Sequence, residues 1–223
     1  MSAPSPRAKK DVGAHFDRTA PAFDAIYTGE GVSRLRRVVH RVFFHDIYWR
    51  LALTLAECDA TPGASVLDIG CGSGVYLEAL GRRGAARLVG LDFAPAMIEL
   101  ARRRIAAAGL AARAELRATD FLAYPVEAPL DCTLAVDVFD YFRDLVPLLR
   151  KMAGVTRGKA IATFPQLWNP WTAVRRVRYA LAVRDCPVHF FSRARVRSLM
   201  RSAGFRDVRV RALTNIFFAV GVP

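Results

Sequence analysis

Hydrophobic positions along this chain change their period partway. Through residues 14–57 they recur at helical spacing, first as Leu35, Val38, Val39, Val42 and Phe43, then as Tyr48, Leu51 and Leu55. Thr61-Pro62-Gly63 is a turn signal that closes this segment. Beyond it, short apolar runs of β type alternate with amphipathic stretches. The runs at 65–69, 87–91, 114–118, 132–136 and 159–164 are predicted strands, and 76–80, 95–108 and 145–153 are predicted helices. Residues 165–192 are irregular and aromatic. Ser192 is placed to cap a helix ending near Gly204, and 207–213 and 216–220 read as two closing strands joined tightly.

Strands alternating with helices predict an α/β fold, a mostly parallel sheet covered on both faces, and the two closing strands predict an antiparallel C-terminal hairpin at one edge. Ligands of such sheets bind at the carboxyl ends of the strands, where the strand order reverses. The expected organisation is a helical cap or lid over residues 1–60 and a second unit over 61–223 with an insertion at 165–192. No repeat with a period between about 20 and 50 residues is visible, which argues against a solenoid.

At 223 residues, with 53% hydrophobic and 24% charged positions, the chain has ordinary globular composition, which excludes a disordered or collagen-like polymer. The charge is uneven: nine Lys/Arg against five acids in 1–50, ten against thirteen in 51–150, and fourteen against two in 151–223. A basic last third attracts anionic partners or reflects Arg-rich composition on solvated faces. The four cysteines (58, 71, 132, 186) form no CxxC pair and no zinc-like spacing with histidine. A disulfide framework and a zinc site are therefore not expected, and a reducing, cytoplasmic setting is. The first twelve residues lack the apolar core of a secretory signal. The apolar run at 212–222 is about half the roughly 20 residues of a spanning helix.

The strongest chemical signal is Val66-Leu67-Asp68-Ile69-Gly70-Cys71-Gly72-Ser73-Gly74, three glycines between a strand and a helix. Without Cβ atoms they allow a tight turn and close approach of a ligand to backbone. The spacing differs from the GxGxxG dinucleotide fingerprint. An acid at the strand end, Asp68, suits a cationic group better than a pyrophosphate. Asp92 ends the second strand in Val89-Gly90-Leu91-Asp92, where a carboxylate can accept both hydroxyls of a ribose. Asp120 with Phe121 follows the third strand, and Asp137-Val138-Phe139-Asp140-Tyr141 follows the fourth.

These successive motifs resemble those of class I S-adenosylmethionine-dependent methyltransferases, at full strength over roughly residues 60–164. The helix in SRARVRSLMRSAGF and the hairpin after it fit the same family, whose fold is a Rossmann-like seven-stranded, mostly parallel sheet. The N-terminal segment, with Phe16-Asp17-Arg18 and Phe23 to Tyr27, resembles the helical cap of small-molecule members. The resemblance implies S-adenosylmethionine as cofactor, with S-adenosylhomocysteine as product, and no metal. It implies that Gly70, Cys71, Gly72 and Gly74 form the loop along the methionyl part, and that Asp68 orients the amino group. Asp92 would hold the ribose, with Phe93 and Met97 near the adenine. Asp120 and Phe121 would take the adenine edge and face. Asp137 and Val138 would meet the methionyl end, and Tyr27 would be carried to it by the lid.

Methyl transfer from a sulfonium needs chiefly orientation and sequestration, and a base only where the acceptor must lose a proton. Candidates for that base are His189, Asp140 and Tyr141. No [DN]-P-P-[FYW] motif and no catalytic-cysteine motif is present, and the histidines at 15, 40, 45 and 189 are dispersed. Aromatics of the cap and of 165–192, among them Trp168, Trp171 and Tyr179, interleave with Arg175, Arg176, Arg178 and Arg184. They suit a small aromatic or anionic acceptor. The rival readings are an RNA acceptor, disfavoured for want of a separate RNA-binding unit, and a lipid-like acceptor with peripheral membrane contact through 168–179. Nothing in the sequence sets the oligomeric state.

Overall fold

The computed structural model describes residues 13–14, 17, 45–58, 62–142, 144–168 and 189–223. Tyr27, most of the expected cap, and 169–188 of the expected insertion lie outside the described residues. Helix α1 (His45–Cys58) leads into strand β1 (Ser65–Ile69), then α2 (Val75–Arg82), β2 (Arg87–Asp92), α3 (Pro95–Ala107), β3 (Ala114–Ala118) and β4 (Leu130–Ala135). There follow α4 (Val146–Gly154), β5 (Thr156–Pro165), α5 (Arg193–Ser202), β6 (Asp207–Ala212) and β7 (Ile216–Val222). The seven strands form one sheet in the order β3-β2-β1-β4-β5-β7-β6. Strands β1 to β5 pair in parallel, whereas β7 pairs antiparallel with both β5 and β6. The expected hairpin is therefore present, its second strand inserted between β5 and the edge strand β6.

Alternation along each central strand builds two cores. Val66, Leu88, Leu134 and Ile161 pack on one face with Tyr76, Leu77 and Leu80 of α2 and Ile98, Ala101 and Ile105 of α3. Leu67, Val89, Ala135 and Phe164 pack on the other with Leu148 and Met152 of α4 and Val196, Leu199 and Met200 of α5. Ser192 caps α5 as its position predicts, its side chain accepting from the Arg195 N–H at 3.2 Å. At the amino ends of the strands, Asp131 ties three of them together. It accepts from the Ser65 N–H (2.9 Å), the Ser65 hydroxyl (2.8 Å) and Arg157 Nε (2.9 Å). These donors, led by the backbone N–H of Ser65, hold its pKa down at about 2.

One expectation is overturned. Cys58, in the last turn of α1, and Cys132, in β4, form a disulfide with Cα atoms 5.9 Å apart. The pair is invisible to spacing rules because 74 residues separate its halves. With it goes the argument from cysteine usage for a reducing compartment. Arg50, Thr54 and Cys58 lie at i, i+4 and i+8 on α1, and all three are buried. The helix thus turns one stripe onto the sheet, and the bridge fixes one end of it.

The bridge predicts a measurable stabilisation. A loop of this length corresponds to about 4 kcal/mol in the loop-closure picture. A peptide map under non-reducing conditions should join the peptides carrying Cys58 and Cys132, and reductant should lower the melting temperature. Separate peptides and an unchanged melting temperature would show two thiols instead.

Candidate functional site

The strand order reverses between β1 and β4, and the carboxyl ends of β1, β2 and β4 meet there. Parallel pairing sets Asp68 beside Gly90 and Ile69 beside Leu91, so the β1 loop starts where β2 ends in Asp92. The N–H groups of Gly70 and Cys71 both donate to the Leu91 carbonyl, at 2.7 and 3.0 Å. Gly70, Gly72 and Gly74 have φ values of 70°, 51° and 79°, which the left-handed turn requires. A Cβ on Gly70 would stand 2.5 Å from Val138 Cγ2, so the loops after β1 and β4 meet at that glycine.

Three carboxylates converge on this crevice, and they differ in how far each is compensated. Asp92 uses both oxygens: Oδ2 accepts from the Gly72 N–H and Oδ1 from the Ala94 N–H, each at 2.9 Å. Burial raises its pKa, and these backbone donors offset part of the rise. Asp137 adopts φ 57°, its N–H donates to Thr163 Oγ1 at 2.8 Å, and its carboxylate pairs with Arg50 of α1. Asp68 is 2% exposed and its Oδ2 is buried without a hydrogen-bond partner. Desolvation first, and then the neighbouring charge of Asp92, push its pKa well up.

The other expected residues fall as follows. Cys71 is buried, with Sγ close to where a Gly90 side chain would stand, so its side chain packs into the core and its backbone lines the loop. Burial pushes its thiol pKa well up, which agrees with a size role rather than a nucleophilic one. Phe93 is half-buried against Phe142, ring centroids 6.1 Å apart. Met97 is buried with Ala94 at the start of α3. Asp120 opens a tight turn in which Oδ1 accepts from the Leu122 N–H at 2.9 Å. Phe121 is 3% exposed, in the core beneath that turn. From the N-terminal segment, Asp17 Oδ1 accepts from the Ala96 N–H at 3.0 Å, and Gly13 lies against Phe93.

The candidate acceptor residues also meet. Phe139–Tyr141 form one turn of 3-10 helix, and the His189 N–H donates to the Asp140 carbonyl at 2.8 Å. Asp140 is 2% exposed. Trp168, three residues beyond β5, is 86% exposed. The residues that sequence reasoning missed are Arg50 and Lys151. Arg50 lies 87 residues from Asp137, and the helical spacing of α1 was its one local signal. Lys151 sits in the last turn of α4 and donates to three backbone carbonyls of the Asp120 turn.

An unpartnered buried carboxylate oxygen beside a glycine cradle fits a ligand that brings a cationic donor, and a sulfonium amino acid nucleoside carries such groups. No group of three or more His, Cys, Asp and Glu able to hold a metal occurs among the described residues. Nor does any helix among them have the length and apolarity to cross a membrane.

Residues 66–159 match the family model described as a methyltransferase domain. The ubiquinone biosynthesis O-methyltransferase of Xanthomonas campestris is 28% identical over 98 residues, 44% of this chain and 41% of that one. The demethylmenaquinone methyltransferase of Tropheryma whipplei is 31% identical over 93 residues, 36% of this chain and 38% of that one. The matches thus span about two fifths of the length of these curated relatives. Among solved structures, magnesium protoporphyrin IX methyltransferase from Synechocystis with bound SAH superposes with a TM-score of 0.72 at 18% identity, covering 95% of this chain and 99% of that one.

The buried carboxylate predicts a trade-off between stability and binding. A folded pKa raised above the ordinary aspartate range means the native state holds this proton more tightly than the unfolded chain. The resulting stability is full at low pH and is lost as pH rises through the folded pKa of Asp68. Asp68→Asn should therefore raise the melting temperature of the ligand-free protein at neutral pH, measured by calorimetry, while weakening capture of a cationic ligand. A melting temperature that falls at neutral pH would place a partner on Oδ2.

Proposed function

We propose that this chain, whose residues 66–159 match the methyltransferase-domain model, moves a methyl group from S-adenosylmethionine to an oxygen or nitrogen of a small, aromatic or anionic metabolite. The observation that carries the reading is Asp68, buried with Oδ2 unpartnered beside Asp92 and Asp137 at the strand reversal. The cofactor, when bound, supplies a methyl group already activated by its sulfonium charge.

The chain's own residues then have separable tasks. Asp68 holds the amino end together with Asp137 or its backbone carbonyl, with the glycine loop along the methionyl chain. Asp92 holds the ribose hydroxyls. Its two oxygens offer about four acceptor sites, two of them used by Gly72 and Ala94, so one carboxylate shapes the loop and binds the sugar. Phe93 and Met97 border the adenine, and Asp120 receives its edge. Residues 1–60 act as a lid, with Asp17 contacting the start of α3 and Tyr27 brought to the methionyl end. Asp140, Tyr141 and His189 border the acceptor, and His189 removes its proton where one must leave. The quinone-pathway and porphyrin names among the similar proteins support a flat, partly apolar acceptor. A second reading, a lipid-like acceptor reached at a membrane surface, draws on the exposed Trp168 and the exposed arginines of α5.

Two measurements test this. S-adenosylhomocysteine should bind and raise the melting temperature by mass action, and Asp92→Ala should cost about 1.5–3 kcal/mol of that affinity. Equal affinity in the variant, by titration calorimetry, would remove the ribose contact. His189→Ala should slow turnover by about 10²-fold with cofactor affinity nearly unchanged. A loss of turnover matched by a loss of cofactor binding would move the acceptor site elsewhere.

A further inference from the structure

The turn after β3 is held by a single ammonium group. From Asp120 the chain winds back on itself: the N–H groups of Ala123 and Tyr124 both donate to the Asp120 carbonyl at 3.0 Å, and the Leu122 N–H to Asp120 Oδ1. Such a turn leaves the carbonyls of its later residues pointing the same way, with no continuing helix to receive them. Three of them converge on Lys151 Nζ: Phe121 at 2.6 Å, Leu122 at 3.0 Å and Tyr124 at 2.6 Å. An ammonium has three N–H donors, so each of these carbonyls is matched by one. The same Nζ stands 5.0 Å from the centroid of the Phe121 ring. Desolvation lowers the Lys151 pKa, and the Asp120 carboxylate offsets part of that. On the other side, the Thr119 N–H donates to the Asp92 carbonyl at 2.8 Å, tying the start of the turn to the end of β2.

We propose that Lys151 is a positioning residue for recognition of the nucleobase: it fixes the Asp120 turn so that the carboxylate meets the exocyclic amino group of an adenine. Lys151 touches neither cofactor nor acceptor and acts through the backbone it holds. The shape of the cation matters as much as its charge. A compact ammonium reaches three convergent carbonyls, whereas the planar guanidinium of arginine directs its donors as a fork. Arginine therefore does not substitute here. The inference rests on the reading that Asp120 receives the adenine edge.

The test is discrimination between bases, measured by calorimetry on the full-length chain. The probes are S-adenosylhomocysteine and S-inosylhomocysteine, which carries an oxygen in place of the exocyclic amino group. The unaltered chain should prefer the adenosyl compound by about 100-fold, the size of one hydrogen bond to a charged group. Lys151→Met should weaken S-adenosylhomocysteine binding about tenfold and reduce the preference to a few-fold. Lys151→Arg, which keeps the charge and so the better prospect of folding, should lose most of the preference as well. A role in stability alone would lower the melting temperature and leave the preference intact, and that result in either folded variant overturns the proposal. Asp120→Ala separates the layers. If it abolishes the preference while the Lys151 variants keep it, the adenine reading stands and the role of Lys151 falls. If the unaltered chain shows no preference, or Asp120→Ala retains it, both fall together.

Discussion

Negative charge is concentrated at one place in this fold, the carboxyl ends of β1, β2 and β4, and much of the surrounding structure answers to it. An uncompensated carboxylate taken out of water costs several kcal/mol. Asp92 offsets part of that cost through backbone N–H groups, among them those of Gly72 and Ala94. Asp137 avoids it through the guanidinium of Arg50. Asp68 has neither and stays with one oxygen buried and unpartnered. Two of the three are thus settled by the protein, and the third is left for whatever enters. A site arranged this way keeps one acidic oxygen for an entering cation, while the chain's own cation, Arg50, is engaged by Asp137.

That arrangement depends on α1, which precedes the sheet in sequence yet closes one side of the crevice. Its buried stripe carries Arg50 at one end and Cys58 at the other. Cys58 bonds to Cys132 within β4, and Arg50 pairs with Asp137 just beyond that strand's end. The helix therefore runs back along β4, pinned covalently near the strand's middle and electrostatically at its carboxyl end. Glu57 adds an outer clamp, accepting from Lys159 of β5 and Arg209 of β6. The position of Arg50 is thus set by contacts remote from the site.

What could be read in advance divides along the same line. The seven strands, their mixed directions and the loop VLDIGCGSG were legible because each is carried by residues close in sequence. Alternation marks a strand, and a glycine cluster between strand and helix marks a turn. Observed boundaries moved by a few residues: β5 begins at Thr156 rather than 159, where Thr133 and Thr156 share a hydrogen bond of 2.7 Å that no apolar pattern records. Arg50, Lys151 and the Cys58–Cys132 bridge were not legible. Each joins residues some 30 to 90 apart; the helical spacing of α1 is the one local hint at Arg50, and nothing local distinguishes Lys151 from a solvated cation. Phe121, expected at the adenine face, is buried with Lys151 of α4 over its ring, a contact that the local sequence of the turn does not encode.

The basic last third of the chain can now be placed against this acidic crevice. On α5 the exposed arginines are Arg193, Arg195, Arg197 and Arg201, and on β6 they are Arg209 and Arg211. Strand β6 is an edge, with Val208 and Val210 buried and its charged residues outward. Long cations on an edge strand discourage another strand from pairing there, so part of the excess charge has a task within the fold. Arg209 is also engaged by Glu57, and the Arg193 guanidinium lies 5.9 Å from the Phe217 ring centroid. These described arginines sit on the β5-β7-β6 side of the sheet, away from Asp92 at the end of β2. Opposite signs at separate places allow one small protein to hold a cationic group in its crevice while its overall field draws in anions. The proposed pairing of a positively charged donor with an anionic acceptor calls for such an arrangement.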